Sequence, residues 1–204
     1  MGGTLGTLLT RAGHEVIFSY ARSRKKLDQL AQDAGGGARS ATPAEAVAQA
    51  DAVLLAVHWS RVDDVLAQTG SLAGRTLITC SLPMDADDSR LVLGFTTSGA
   101  EALAVRLPQA QVVSAFGTAP SEVLLPVFNR RGPSTSPDMI YCGDHQRAKD
   151  TVAQLIRDVG FNPVDLGALQ AARYVEPFAL LVAALAYDGT EGPEVAYRFE
   201  RLRT

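Results

Sequence analysis

The chain reads as an α/β fold built on a parallel sheet. Short β-branched or apolar runs alternate with helical segments through residues 4–115. The run 52–57 is apolar throughout, as in a strand covered on both faces. Glycines and prolines punctuate the segments at their ends. With 204 residues, of which 47% are hydrophobic and 20% charged, there is material for one domain, or one plus a small appendage. That composition is not the composition of a disordered chain.

Residues 4–11, with leucines at 5, 8 and 9, read as a helix, and Gly13 follows as a stop that accepts left-handed backbone at no cost. Residues 16–20 are a β-branched and aromatic run, hence a strand. Residues 22–34 place Leu27, Leu30, Ala31 and Ala34 on one helical face, and Gly35-Gly36-Gly37 ends that helix. A brief edge strand is expected at 38–41. Thr42, Pro43 and Glu45 form a helix start, with Thr as cap, Pro in the first turn and Glu three residues after the cap. Strand 52–57, helix 61–68, strand 76–80, helix 99–107 before Pro108 and strand 111–115 complete the alternation.

Beyond residue 116 the pattern changes. Residues 129–137 (NRRGPSTSP) form a loop, and 140–142 a short strand. Residues 145–159 are an amphipathic helix with Ala148, Val152, Leu155, Ile156 and Val159 at helical spacing. A strand at 162–166 leads to a mostly apolar helix at 177–187. Apolar on nearly all sides, that helix is expected to pack against another domain or subunit, which points to a homodimer. An amphipathic segment at 193–202 closes the chain. The expected division is a nucleotide-binding region at 1–120 and a small C-terminal substrate and dimerisation region at 121–204.

A net charge of −3 offers no basic face for a phosphodiester backbone, so nucleic acid is not an expected partner. Cys80 and Cys142 match no metal or redox spacing and read as buried thiols of a reducing compartment. The longest apolar run, 178–187, falls short of the ~18 residues of a membrane span. Gly6 stands where a myristoylation motif needs Ser or Thr, and no basic stretch opens a signal peptide. A cytoplasmic protein without membrane partners is the expectation. His14, His58 and His145 have no ligand spacing, so no metal is expected.

A dinucleotide-binding α/β sheet needs a glycine-rich turn between its first strand and first helix, where the backbone meets the pyrophosphate. This chain begins directly at such a helix, with Met1-Gly2-Gly3-Thr4-Leu5. The run GGTLGTLLTRAGHEVIFSYARSRKKL resembles the N-terminal region of the NADP-dependent oxidoreductases that act on the deazaflavin coenzyme F420. The likeness continues in order. Ala56-Val57-His58-Trp59 resembles the family's Ala-Val-Pro-Trp, and Ser81-Leu82-Pro83-Met84 its Thr-Asn-Pro-Leu. Residues 112–120 resemble the segment lining the deazaflavin side of the cleft, and Cys142-Gly143-Asp144 and the stretch 164–176 continue the match.

The resemblance implies a Rossmann-like NADP-binding domain with a small C-terminal α/β extension, NADP(H) as cofactor and coenzyme F420, or another small-molecule or flavin acceptor, as substrate. It places Gly2, Gly3, Thr4, Ser19, Arg22, Lys26, Ala56, Val57, His58, Trp59 and Pro83 on the cofactor. Gly117, Thr118 and Pro120 fall on the substrate. NADP is favoured by the residues themselves: Ser19, Arg22, Ser23, Arg24, Lys25 and Lys26 follow the second strand, with no carboxylate before Asp28. Cations and hydroxyls suit a 2′-phosphate, whereas an NAD site usually puts Asp or Glu on the ribose. The other reading of this stretch is a solvated basic turn. Ala21 sits where the family commonly has Ser, at a cost of about 1 kcal/mol for one hydrogen bond.

Hydride transfer between stacked rings needs proximity and orientation, so no catalytic side chain is expected. His58 replaces the family's proline and is either a pocket-wall residue or a cofactor contact; Trp59 either packs or borders the nicotinamide. The similar β-hydroxyacid dehydrogenases use a lysine from the second domain. The only candidate here, Lys149, is expected to be solvated on its helix. Gly117 departs from the His or Asn the family often carries, which leaves two further readings open: an imine reductase similar to pyrroline-carboxylate reductase, and a non-catalytic NADP-binding, redox-sensing protein. Finally, the glycine motif would run Gly-x-Gly-x-Met1-Gly2. Its strand, within about ten residues ahead of Met1, would lie between strands 16–20 and 52–57. Its absence would leave a gap of ~9–10 Å and weaken cofactor binding.

Overall fold

The structure, a computed structural model, describes residues 1–21, 23–130, 132 and 136–202. Helix α1 (Gly2–Arg11) stops at Ala12, and Gly13 turns with φ +98°, as its position after the last leucine predicts. Strand β1 (Ile17–Phe18) is shorter than expected and pairs in parallel with β2 (Arg39–Ser40). Between them lies α2 (Arg24–Ala34), capped by the Ser23 hydroxyl and released by Gly35, Gly36 and Gly37, all at positive φ. Helix α3 (Pro43–Gln49) opens on the full reciprocal capping box of Thr42 and Glu45.

Strands β3 (Ala52–Leu55), β4 (Thr76–Thr79) and β5 (Gln111–Ala115) run parallel, in that spatial order. A 3-10 turn (Trp59–Arg61) and α4 (Val62–Thr69) connect β3 to β4, and α5 (Gly99–Arg106) precedes β5. Then comes α6 (Ser121–Asn129), a helix beyond those expected from the sequence. It allows β6 (Asp138–Gly143) to pair antiparallel with β5, after the parallel run of β3, β4 and β5. Helix α7 (Gln146–Asp158) crosses back to β7 (Asn162–Asp165), parallel to β6. Strands β6 and β7 lie beyond residue 120 and belong to the sheet of β3–β5, so one sheet runs through both expected regions. Part of the expected 129–137 loop falls outside the described residues.

Helices cover both faces of this sheet. On one face Leu5 and Leu8 of α1 meet Ile78, Val113, Met139 and Ile156. On the other, Val47, Val62, Leu103 and Val175 meet Leu77, Val112 and Ile140. The alternation Leu77/Ile78 and Val112/Val113 is the period-two side-chain direction of a strand buried on both sides. Each fully buried leucine contributes roughly 1.5–3 kcal/mol relative to exposure. Strand β3 departs from that pattern. Only Leu55 is buried, and Ala52, Val53 and Leu54 remain half-buried, contrary to the expected coverage on both faces. The reason is topological: β1 and β2 form their own two-stranded sheet, not joined to β3.

Helix α8 (Ala172–Tyr187) begins before the predicted start and contains Pro177. It buries Ala172, Val175, Glu176, Ala179, Val182 and Ala186 but exposes Tyr174, Leu181 and Leu185, so it is not covered on nearly all sides as expected. By length and composition alone, the stretch Leu169–Tyr187 could cross a membrane (mean hydropathy 1.3), longer than the apolar run read from the sequence; 39% of it is buried in this fold. Residues 193–202 are irregular. Tyr197 and Phe199 fold back on Phe178, with ring centroids 5.0 and 6.3 Å from that ring. The Tyr197 carbonyl accepts the Asp138 N–H at 2.8 Å, tying this segment to the start of β6.

Candidate active site

The C-terminal ends of β3, β4 and β5 converge, as parallel strands must, and the loops after them carry most of the expected site residues. After β3 come Ala56, Val57 and His58. After β4, Ser81 joins two loops: its hydroxyl donates to the Val57 carbonyl at 2.7 Å and accepts the Val57 N–H at 3.3 Å. After β5 the chain turns at Phe116, which is buried and held at φ +65°. A side chain of this size in the left-handed region is strained by ~1–3 kcal/mol. The turn directs Gly117, Thr118, Ala119 and Pro120 across the sheet end.

These loops enclose a cavity of about 350 Å³ whose walls include Met1, Val57, His58, Cys80, Gly117 and Thr118. One flank is closed by Ala179, Val182 and Tyr187 of α8. The size falls at the lower end of small-molecule sites. A Cβ added at Gly117 would find its nearest neighbours at 3.6 Å, so the glycine leaves real space there. The Thr118 hydroxyl is 2.6 Å from the Tyr197 hydroxyl, and the latter accepts the Ile140 N–H at 3.1 Å. The two hydroxyls share this bond, and burial pushes the Tyr197 phenol above the usual range.

Gly2 and Gly3 open α1 beside this cavity. A Cβ at Gly2 would lie 3.1 Å from the Ala56 Cβ, so glycine lets the first turn rest closely on the loop after β3. The turn has no acidic side chain and no side-chain cap, and its first intrahelical bond is Leu5 N–H to Met1 O. The N–H groups of Gly2, Gly3 and Thr4 are thus free of helical acceptors, an arrangement suited to a pyrophosphate. Gly6 serves packing: its Cβ would fall 2.3 Å from the Phe18 ring.

At the end of β1, Ser19 is half-buried and Tyr20 has φ +58°. Lys26 is exposed in the first turn of α2, while Arg24 is committed to Asp28 at 3.0 Å. Asp28 also accepts from the Ser40 hydroxyl, and both partners hold its carboxyl below the usual range. No carboxylate among the described residues from 16 to 27 competes with a phosphate. Arg22 lies outside the described residues. The donor set fits an NADP(H) adenylate: amides for the pyrophosphate, and hydroxyl and ammonium groups for the 2′-phosphate.

Several side chains sit elsewhere. Trp59 and Pro83 pack on Gly99 at the start of α5, where a Cβ would lie 3.2 and 3.1 Å from them, and neither borders the cavity. The Nδ1 of His58 accepts the Ser60 N–H at 3.2 Å, and its Nε2 faces Asp88 at 2.9 Å. His14 pairs with Asp158 at 2.9 Å, and His145 precedes α7. Lys149 is not solvated, as its place in the sequence suggested. It is buried and bound to Asp165 at 3.0 Å, two elements away from the cavity wall. Burial pushes the thiols of Cys80 and Cys142 up to about 12, so neither is a ready nucleophile.

Sequence reasoning missed the support under this site. Glu176, on α8, is buried and accepts the N–H groups of Gly99 at 2.8 Å and Ala100 at 3.0 Å. Beside it, Arg173 makes a two-pronged pair with Glu101 at 2.9 and 2.7 Å. The only local signal was a carboxylate inside an otherwise apolar helix.

Residues 1–83 match the family NADP oxidoreductase, coenzyme F420-dependent. That match covers α1 through the loop after β4. Rat metalloreductase STEAP3 is 32% identical over 137 residues, 67% of this chain and 26% of that protein. The chain thus spans about a quarter of the curated relatives it matches. In fold, it is similar to a candidate F420-dependent NADP-reductase from an Arthrobacter species (TM-score 0.85, 23% identity, 98% of this chain and 94% of that one). It is also similar to an Aspergillus terreus imine reductase in complex with NADPH4 and a dibenzazepine (TM-score 0.64, 19% identity, 91% and 58%). The Rossmann-like fold is shared with both.

Proposed function

We propose that the protein is an NADP(H)-dependent oxidoreductase passing hydride between the nicotinamide and a flat acceptor of the deazaflavin class. The observation that carries this reading is convergence. Met1 at the head of α1, the Val57–His58 loop and the 117–120 turn line one cavity, and Gly2, Gly3 and Ser19 line a second that shares Ala56 and Val57 with it, with the exposed ammonium group of Lys26 in the first turn of α2. Bound there, NADPH supplies a hydride, and the acceptor takes up that hydride and one proton.

The protein's own part is positional. Gly2 and Gly3 let backbone donors reach phosphate, and Ser81 fixes the two loops that frame the nicotinamide end. Phe116 and Thr118 shape the acceptor side. On the cavity wall His58 is engaged by Ser60 and Asp88 and Tyr187 by Glu122 at 2.9 Å. Mixing the protein and NADPH with a panel of a deazaflavin, a flavin, a quinone and a cyclic imine tests the reading. Loss of the deazaflavin absorbance at the highest rate supports it. Turnover of the imine alone, or of no acceptor, contradicts it.

A further inference from the structure

We propose that Glu122 makes the acceptor cavity selective for uncharged rings, so that acceptors carrying a carboxylate or phosphate beside the reacting ring are turned away. The inference rests on the reading of the 350 Å³ cavity as the acceptor site. Among the described residues that line it, none is a lysine or an arginine, and the ionisable side chains are His58, Cys80 and Tyr187. His58 is already paired with Asp88 at 2.9 Å, and burial pushes the Cys80 thiol up to about 12. Desolvation and the bond to Glu122 raise the Tyr187 phenol above its usual range, which keeps it neutral. An anion taken out of water here finds no free side-chain cation to compensate it.

Two positive features adjoin the cavity, and both meet the same carboxylate. One is the first turn of α6, which follows the cavity residues Pro120 and Ser121 and would attract an anion through its N–H groups. The other is the backbone ammonium of Met1. Glu122, exposed in that first turn, accepts its own N–H, the Tyr187 hydroxyl at 2.9 Å and the Ser121 hydroxyl at 3.1 Å. These donors and the Met1 ammonium hold its carboxyl below the usual range against the opposing effect of desolvation, so it is ionised at neutral pH. The protein's own anion thus occupies the place that an acceptor's anion would need. A unit charge at ~5 Å across a water-facing rim changes affinity about four- to tenfold, and salt weakens it.

The test compares two matched pairs of acceptors with saturating NADPH: 5-deazariboflavin and its 5′-phosphate, and a five-membered cyclic imine and its ring carboxylate. The ratio of kcat/KM within each pair is read at ~0.01 M and ~1 M ionic strength, where screening lengths differ about tenfold. The native protein is expected to prefer the neutral member about four- to tenfold at low salt and less than about twofold at high salt. Glu122→Gln should remove most of that preference, and Glu122→Lys should reverse it. Preference of the native protein for the anionic member, or a preference indifferent to salt and to both substitutions, overturns the proposal. Where a pair is not turned over, ligand-observed NMR reads its binding in the same comparison, and binding of none of the four overturns the proposal. Turnover of the imines alone contradicts the deazaflavin reading yet still decides the charge preference, so the two failures are distinct.

Discussion

The carboxylate of Glu176 lies against the first turn of α5, accepting the Gly99 N–H at 2.8 Å, across 77 residues of sequence. Two amide donors favour its ionised form, but burial outweighs them and nearby Glu101 adds repulsion, raising its pKa to about 7. Between the ordinary carboxylate value and about 7 the folded protein holds this proton and the unfolded chain does not. Stability should therefore fall as pH rises from 5 to 7, by roughly 1–3 kcal/mol from this group. Glu45, Asp85 and Glu101 have lowered values and act below that window. Urea unfolding across pH 5–7 should show the slope in the native protein and lose most of it in Glu176→Gln.

Gly6 and Phe18 define the closest approach of α1 to β1. Adding a methyl group at Gly6 puts it 2.3 Å from the Phe18 ring, so the ring or the helix must shift. Gly6→Ala should cost ~1–3 kcal/mol, the usual range for overpacking. Gly117→Ala, with 3.6 Å to its neighbours, should leave Tm nearly unchanged. Thermal unfolding of the two variants side by side checks the contrast.

Tyr197 supports the acceptor side from outside the sheet. Tyr197→Phe leaves the Ile140 N–H without its phenol acceptor and Thr118 without its hydroxyl partner, a loss of about 1–2 kcal/mol. Because Thr118 borders the cavity, the variant should raise KM for the acceptor more than it changes NADPH affinity. Steady-state kinetics with each substrate varied in turn separates the two.

What could be read in advance depended on distance along the chain. The capping box of Thr42 and Glu45 and the stop at Gly13 involve neighbours within a few residues, and both formed as expected. Strands β4 and β5 were legible because their apolar runs are covered on both faces. Helix α6 was missed: Val123, Leu124, Val127 and Phe128 have helical spacing, but Pro126 breaks the pattern. Lys149 looked like a surface charge because its partner, Asp165, is on another element. Glu176 was quoted only as part of a resemblance, since nothing local reveals the amides it meets. The split between β1 and β3 agrees with the gap expected between the strands at 16–20 and 52–57.

The central claim concerns the dinucleotide, and its most direct measurement is a fluorescence titration of NADPH against NADH. It is made with and without Lys26→Ala. The account predicts at least tenfold tighter binding of NADPH in the native sequence, and a smaller preference when Lys26 is replaced while NADH affinity holds. Equal affinity of the native protein for the two nucleotides would contradict it.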